Sequence, residues 1–198
     1  MTDKMPTAVY SGTFDPPHIG HAIVANYLAQ WAGVEEVLMM VSPLNPLKAG
    51  THPVDDNMRM RMVEALAAGC RGVKASDFEL HLPLPTYSYR TLCALREAYP
   101  GRQFRLVIGS DNWSVIDRWR NPEEIIREFG LIVYPRPGHL RPAVLPDNVQ
   151  WLDDAPQVVM SSTFVRQAAY EGRRLDYFVP HGVVELIEKY KLYRNNDK

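Results

Sequence analysis

Two histidines three residues apart, His18 and His21, close the stretch SGTFDPPHIGH at residues 11–21. At a helix start that spacing puts both imidazoles on one face. Free backbone N–H groups and the helix dipole favour an anion at the same place. Gly12, just behind the apolar TAVY, permits a ligand to approach the backbone closely. Pro16 and Pro17 stiffen the turn, and Gly20 reads as room left for a phosphate. Together these residue types can clamp a polyphosphate with imidazoles and amides. A metal is the competing reading of a histidine pair, but the segment has no third soft ligand and no HExxH glutamate. Either histidine alone would read as structural. GxxxxGK[ST] and GxGxxG are both absent from the sequence.

A second basic cluster is MSSTFVR at 160–166. Ser161 or Ser162 suits the N-cap of a following helix. Arg166 lies four residues after Ser162 and three after Thr163, hence on their face. Hydroxyls, first-turn amides and guanidinium can then converge on one phosphate. A capped helix with a solvated arginine is the plainer alternative.

The elements that must carry these clusters alternate. TAVYS (7–11), VEEVLMMVS (34–42), GVKASDFEL (72–80), FRLVIG (104–109), LIVY (131–134) and QVVMS (157–161) read as strands. Ile19, Ile23, Tyr27 and Trp31 predict one apolar helix face, and 56–69, 88–101, 121–130, 162–172 and 182–193 read as further helices. Residues 43–55 and the proline-rich 135–148 are expected to be loops. Alternation of this kind predicts a doubly wound parallel sheet with helices on both faces. Ligands in such folds sit beyond the carboxyl ends of the strands. The tips of the expected strands bring Ser11, Gly12 and Thr13, then Gly109, Ser110 and Asp111, then Ser161, Ser162 and Thr163 to one edge. The 198 residues suit a single domain, 1–198, with the helical part from about 162 to 198 as a small C-terminal subdomain.

Hydrophobic residues make up 46% and charged ones 23%, enough for a core. A net charge of −1 argues against a nucleic-acid partner gripped through many phosphates. Cys70 and Cys93, the only cysteines, offer neither a disulfide framework nor a zinc site. No apolar run reaches the ~18 residues of a membrane span. MTDKMPTAVY lacks a signal-peptide core, so a reducing cytoplasm is expected.

The motifs also resemble a known family. SGTFDPPHIGH resembles the (T/H)xGH nucleotidyltransferase signature, and MSSTFVR that superfamily's second motif. VIGSDNWSVIDRW, YPRPG and YFVPHGVVELIEKYKLY are similar to stretches of bacterial nicotinate mononucleotide adenylyltransferases, in order from about residue 7 to 193. The resemblance implies a Rossmann-like α/β fold and transfer of the adenylyl group of ATP to nicotinate mononucleotide, giving deamido-NAD and pyrophosphate in NAD biosynthesis. It implies that His18, His21, Lys48 and Arg166 stabilise the reacting phosphates. Gly12, Thr13 and Phe14 would lend backbone contacts to the nucleotide, and Ser161, Ser162, Thr163 and Arg166 would hold the triphosphate. Gly109 and Asp111 would lie by the adenosine or ribose. Trp119 would stack on the pyridine ring, or else belong to the core. Amides of Ser88 and Arg120 would hold the nicotinate carboxylate. Mg²⁺ would arrive on the ATP phosphates, with no metal ligands of the protein's own.

Three departures stand out. Pro46-Leu47-Lys48 lacks the family's histidine; Arg90 reverses the charge of a common aspartate; Arg120 stands where an aromatic is frequent. The rival readings are an adenylyltransferase acting on nicotinamide mononucleotide or pantetheine phosphate, and a nucleotide-sensing module without catalysis. Association of copies into a homo-oligomer is left open.

Overall fold

The computed structural model describes residues 4–43 and 54–194. The order begins β1 (Met5–Gly12), α1 (Ile19–Trp31), β2 (Glu36–Val41), α2 (Asp56–Ala67), β3 (Val73–Ser76) and a 3₁₀ turn at Phe78–His81. It continues α3 (Ser88–Ala98), β4 (Arg102–Gly109), α4 (Ser110–Trp113), a 3₁₀ turn at Ile116–Arg118 and α5 (Pro122–Glu128). β5 (Leu131–Tyr134), β6 (Val149–Trp151), α6 (Ser162–Tyr170) and α7 (His181–Lys189) complete it. Among the described residues the strands form one sheet in the order β3-β2-β1-β4-β5-β6, every pair parallel. This is the doubly wound α/β architecture the alternation predicts.

Strand side chains alternate between two cores, as the pleat requires. Ala8, Val37, Met39 and Val41 pack with Leu28 of α1, Met62 and Val63 of α2, Val165 of α6 and Val183 and Ile187 of α7. Val9, Leu38 and Met40 face the other way, onto Leu92 and Leu95 of α3 and Ile125 of α5. The two C-terminal helices thus share the core of α1 and α2. Each fully buried aliphatic side chain contributes roughly 1.5–3 kcal/mol.

Two expectations are corrected. The buried face of α1 is Val24, Ala25 and Leu28, while Trp31 is 59% exposed. Steps of four residues drift off a fixed helix face, by about 120° over three steps, so the stripe Ile19-Ile23-Tyr27-Trp31 rotates into solvent. The last strand is Val149–Trp151, not QVVMS. In QVVMS, Val159 is 87% exposed and Met160 N–H bonds Val158 O instead of a neighbouring strand. The real β6 is three residues long, too short to show a periodicity.

Candidate active site

β1 and β4 pair in register only as far as Val9 and Leu106. Beyond that point β1 runs on with β2 to Gly12, and β4 runs on with β5 to Gly109. Their facing tips are no longer paired with each other, and a crevice of about 310 Å³ opens there. It is the topological switch point, where a doubly wound sheet binds its ligand. Gly12, Thr13, Phe14, His21, Ser88, Gly109, Trp119 and Ser162 line it, together with Tyr10, Asn112 and Arg136.

His18 is the N-cap of α1 and is buried; His21 sits one turn on. Their rings stack at 3.7 Å between centroids. The backbone N–H of His18 donates to His21 Nδ1 at 3.1 Å. A neutral His21 therefore carries its proton on Nε2. The edge of Phe14, at 5.0 Å, packs against the same ring. Burial, aided by the Arg136 guanidinium, pulls the pKa of His18 down to about 4. Burial, then His18 and Arg136, hold His21 well below the ordinary imidazole value. In the free protein near neutral pH the pair consists of neutral rings.

The glycines also make room for neighbouring side chains. A Cβ on Gly20 would lie 3.0 Å from the His18 ring, so Gly20 makes room for an imidazole first. A Cβ on Gly12 would lie 3.1 Å from the Phe14 ring, which is buried on a backbone with φ of 48°. A Cβ on Gly109 would collide with Asp111 Oδ1, so this glycine lets the carboxylate fold back over the tip of β4.

At α6, Ser161 is the N-cap, its hydroxyl accepting from Phe164 N–H. Ser162 Oγ donates to Pro16 O at 2.9 Å. Arg166 donates to Asp15 O at 2.6 Å and to Thr163 Oγ1 at 3.2 Å. These side chains do gather beside the histidine turn, but here they fasten that turn to α6.

Across the crevice, α3 begins at Ser88 with no side-chain cap from Tyr87 and no acidic residue in its first turn. Trp119 is half-buried, packed against the second core while lining the crevice. The Arg120 guanidinium lies 4.3 Å from the centre of the Tyr87 ring, and that of Arg90 lies 5.9 Å from it. The departures Arg90 and Arg120 thus bring two cations to the same corner. Lys48 lies outside the described residues.

Arg136, Glu79 and Arg59 were not singled out by type or spacing. Arg136 N–H is held by Ser110 Oγ at 2.7 Å, and its Nε is buried with no partner among the described residues. Glu79, buried, accepts from Ser11 Oγ at 2.9 Å and from Thr91 Oγ1 at 3.3 Å, tying β1 to α3. Arg59, fully buried, bonds Thr13 O at 2.6 Å and Ser42 O at 2.9 Å. Only YPRPG as a motif pointed near one of them.

Residues 9–168, which carry the crevice, match the cytidylyltransferase-like family model, and this makes the chain a nucleotidyltransferase. A Bacteroides thetaiotaomicron protein named "Probable nicotinate-nucleotide adenylyltransferase" is 46% identical over 96% of this chain and 94% of its own. One of the same name from Bacteroides fragilis is 43% identical over 93% and 92%. The chain belongs to the nicotinate-nucleotide adenylyltransferase family within the cytidylyltransferase-like proteins. The Plasmodium falciparum nicotinic acid mononucleotide adenylyltransferase, in its complex with NaAD, shares the fold at a TM-score of 0.78. It is 18% identical, with 96% of this chain and 97% of that one covered. No helix among the described residues is long and apolar enough to cross a membrane.

Proposed function

We propose that this chain transfers the adenylyl group of ATP to nicotinate mononucleotide, releasing pyrophosphate and forming deamido-NAD. One observation carries the reading beyond family membership: two helix N-termini, α1 with His21 and α3 with Ser88, open on one crevice. Such ends take anions, and deamido-NAD carries phosphates at its centre and a carboxylate at one end.

The acceptor's 5′-phosphate is the nucleophile. It is ionised near neutral pH, so no general base is needed. One of its oxygens attacks the α-phosphorus of ATP in line; the new P–O bond forms as the bond to the bridging oxygen breaks, and the electron pair leaves with pyrophosphate. Catalysis is then alignment plus stabilisation of developing charge. His21 supplies an N–H from Nε2, and neutral imidazole suits this because a donor held in place costs no reorganisation. His18 orients that ring and packs against it. Arg136 lines the crevice close enough to lower the pKa of both histidines; Arg166, Thr163 and the first amides of α6 add donors, with Lys48 as a further cation. Mg²⁺ comes as part of the substrate, on the phosphates. The first amides of α3 receive the nicotinate carboxylate, Trp119 the pyridine face, and Arg120 with Arg90 gives the corner a positive potential.

Cys70 and Cys93 are free thiols, as a reducing cytoplasm would keep them.

The test is pyrophosphate release from ATP and Mg²⁺ with nicotinate mononucleotide, nicotinamide mononucleotide or pantetheine phosphate as acceptor. Hydrogen bonds to a charged group are worth about 1.5–3 kcal/mol, so nicotinate mononucleotide is expected to lead its amide by roughly tenfold to a hundredfold in kcat/KM. Release with neither pyridine nucleotide would overturn the assignment.

A further inference from the structure

Four side chains from α2, α6 and the end of the chain reach the turn between β1 and α1. Three of them, Arg59, Ser162 and Arg166, bond its backbone carbonyls at 2.6–2.9 Å. The fourth joins side chain to side chain: Tyr193 Oη donates to Asp15 Oδ1 at 2.5 Å, across 178 residues of sequence. Nothing in the proposed chemistry uses Tyr193.

The end of the chain is shaped for that bond. Lys191 and Tyr193 have φ of 53° and 59°. Residues other than glycine keep such values where surroundings enforce them. Leu192 N–H caps α7 through Ile187 O at 3.0 Å, and Leu192 and Tyr193 pack against the first core. Arg61 of α2 lies over the Tyr190 ring at 4.8 Å and donates to its hydroxyl at 3.1 Å. Burial and the neighbouring Asp15 keep the Tyr193 phenol protonated, and so a donor.

Between Asp15 and His18 stand Pro16 and Pro17, both buried. Each proline has φ locked, so the link has little freedom to absorb a displacement. Where Asp15 is held, His18 and the ring stacked on it are held as well.

We infer that Tyr193 is a positioning residue for the histidine pair, acting through Asp15 and the two prolines. This rests on the reading of His21, oriented by His18, as a donor to the reacting phosphates. The segment after α7 that carries Tyr193 then belongs to the site, though Tyr193 touches no substrate.

The variant is Tyr193→Phe, which keeps the ring and removes the hydroxyl. Misplacing a reacting group by about 1 Å can cost on the order of a hundredfold; a partial release predicts a fall in kcat of about tenfold. KM for nicotinate mononucleotide is expected to stay within about twofold, since the α3 end is untouched. Losing one hydrogen bond to a carboxylate lowers Tm by roughly 3–12 °C, without unfolding the chain at assay temperature. In NMR of side-chain imidazoles, the signals of His18 and His21 should move while those of His81, His139 and His181 stay. Asp15→Ala should produce the same loss, and adding Tyr193→Phe to it should cost nothing more in kcat. An unmoved His18/His21 spectrum with wild-type kcat would overturn the inference, and so would additive losses in the double variant. The spectrum tests the positioning even if the wild type releases no pyrophosphate with any acceptor, so the two readings fail separately.

Discussion

His18 is buried where it must stay neutral, and that has a consequence for stability. Its pKa falls from 6.5 to about 4 on folding, through burial first and Arg136 second. Between those values the unfolded chain binds a proton that the folded chain does not, so stability decreases as the pH drops through 6.5 toward 4. Fully developed, the loss is on the order of 3 kcal/mol; above pH 6.5 the contribution is constant. His21 acts in the same direction. Urea unfolding of the wild type at a series of pH values from neutral to mildly acidic is expected to show this slope, and His18→Asn is expected to flatten it. Parallel curves for the two proteins would remove His18 as the cause. The histidines themselves were legible from their spacing, because helix geometry alone brings i and i+3 together. Their protonation state was not, because it depends first on how deeply the fold buries them and then on Arg136. That residue arrives from the end of β5 by way of the buried hydroxyl of Ser110 at the end of β4.

At the scale of the element, α1 sets helix propensity against its own site. Gly20 lies in its first turn, where alanine would favour the helix by up to about 1 kcal/mol. An added Cβ would nevertheless lie 3.0 Å from both Nδ1 and Cε1 of His18, so the ring must shift. Gly20→Ala is therefore expected to leave Tm unchanged or slightly raised while kcat falls about tenfold or more. Calorimetry and a pyrophosphate assay on one preparation would decide it; full activity in a stable variant would show that the ring position is not critical. The sequence marks Gly20 as special, but not for what. A glycine between two histidines suggests space for a ligand, whereas the space is taken by the residue two before it. β6 was illegible for a related reason. Three residues beside β5 suffice when the neighbouring strand supplies the register, as Leu131 pairs with Val149 and Val133 with Trp151. The β-branched QVVMS has no such neighbour and becomes the approach to α6.

For the molecule as a whole, the decisive feature is that the site has two owners. β1, with β2 and α1, carries the histidine turn; β4, with β5, carries Gly109 and the approach to Arg136. The alternation of strands and helices makes this division readable, since a doubly wound sheet must reverse its strand order somewhere. The reversal lies between the first and fourth strands, and the register ending at Val9 and Leu106 shows how far the halves stay zipped. A ligand that spans the gap adds the cross-links that the backbone omits. On the proposed function deamido-NAD would span it, and AMP and nicotinate mononucleotide would each contact one part. A ligand at about 100 times its Kd stabilises a fold by roughly 2.7 kcal/mol. For a chain of this size that means a rise in Tm of roughly 5–10 °C. At equal concentrations deamido-NAD is expected to raise Tm by more than either half, because it ties both halves of the sheet at one entropic cost of association. Thermal scans with the dinucleotide, with each half and with the two halves together would measure this. A dinucleotide shift no larger than that from AMP alone would mean that the crevice holds the nucleotide on one side only, and that the α3 end is not part of the site.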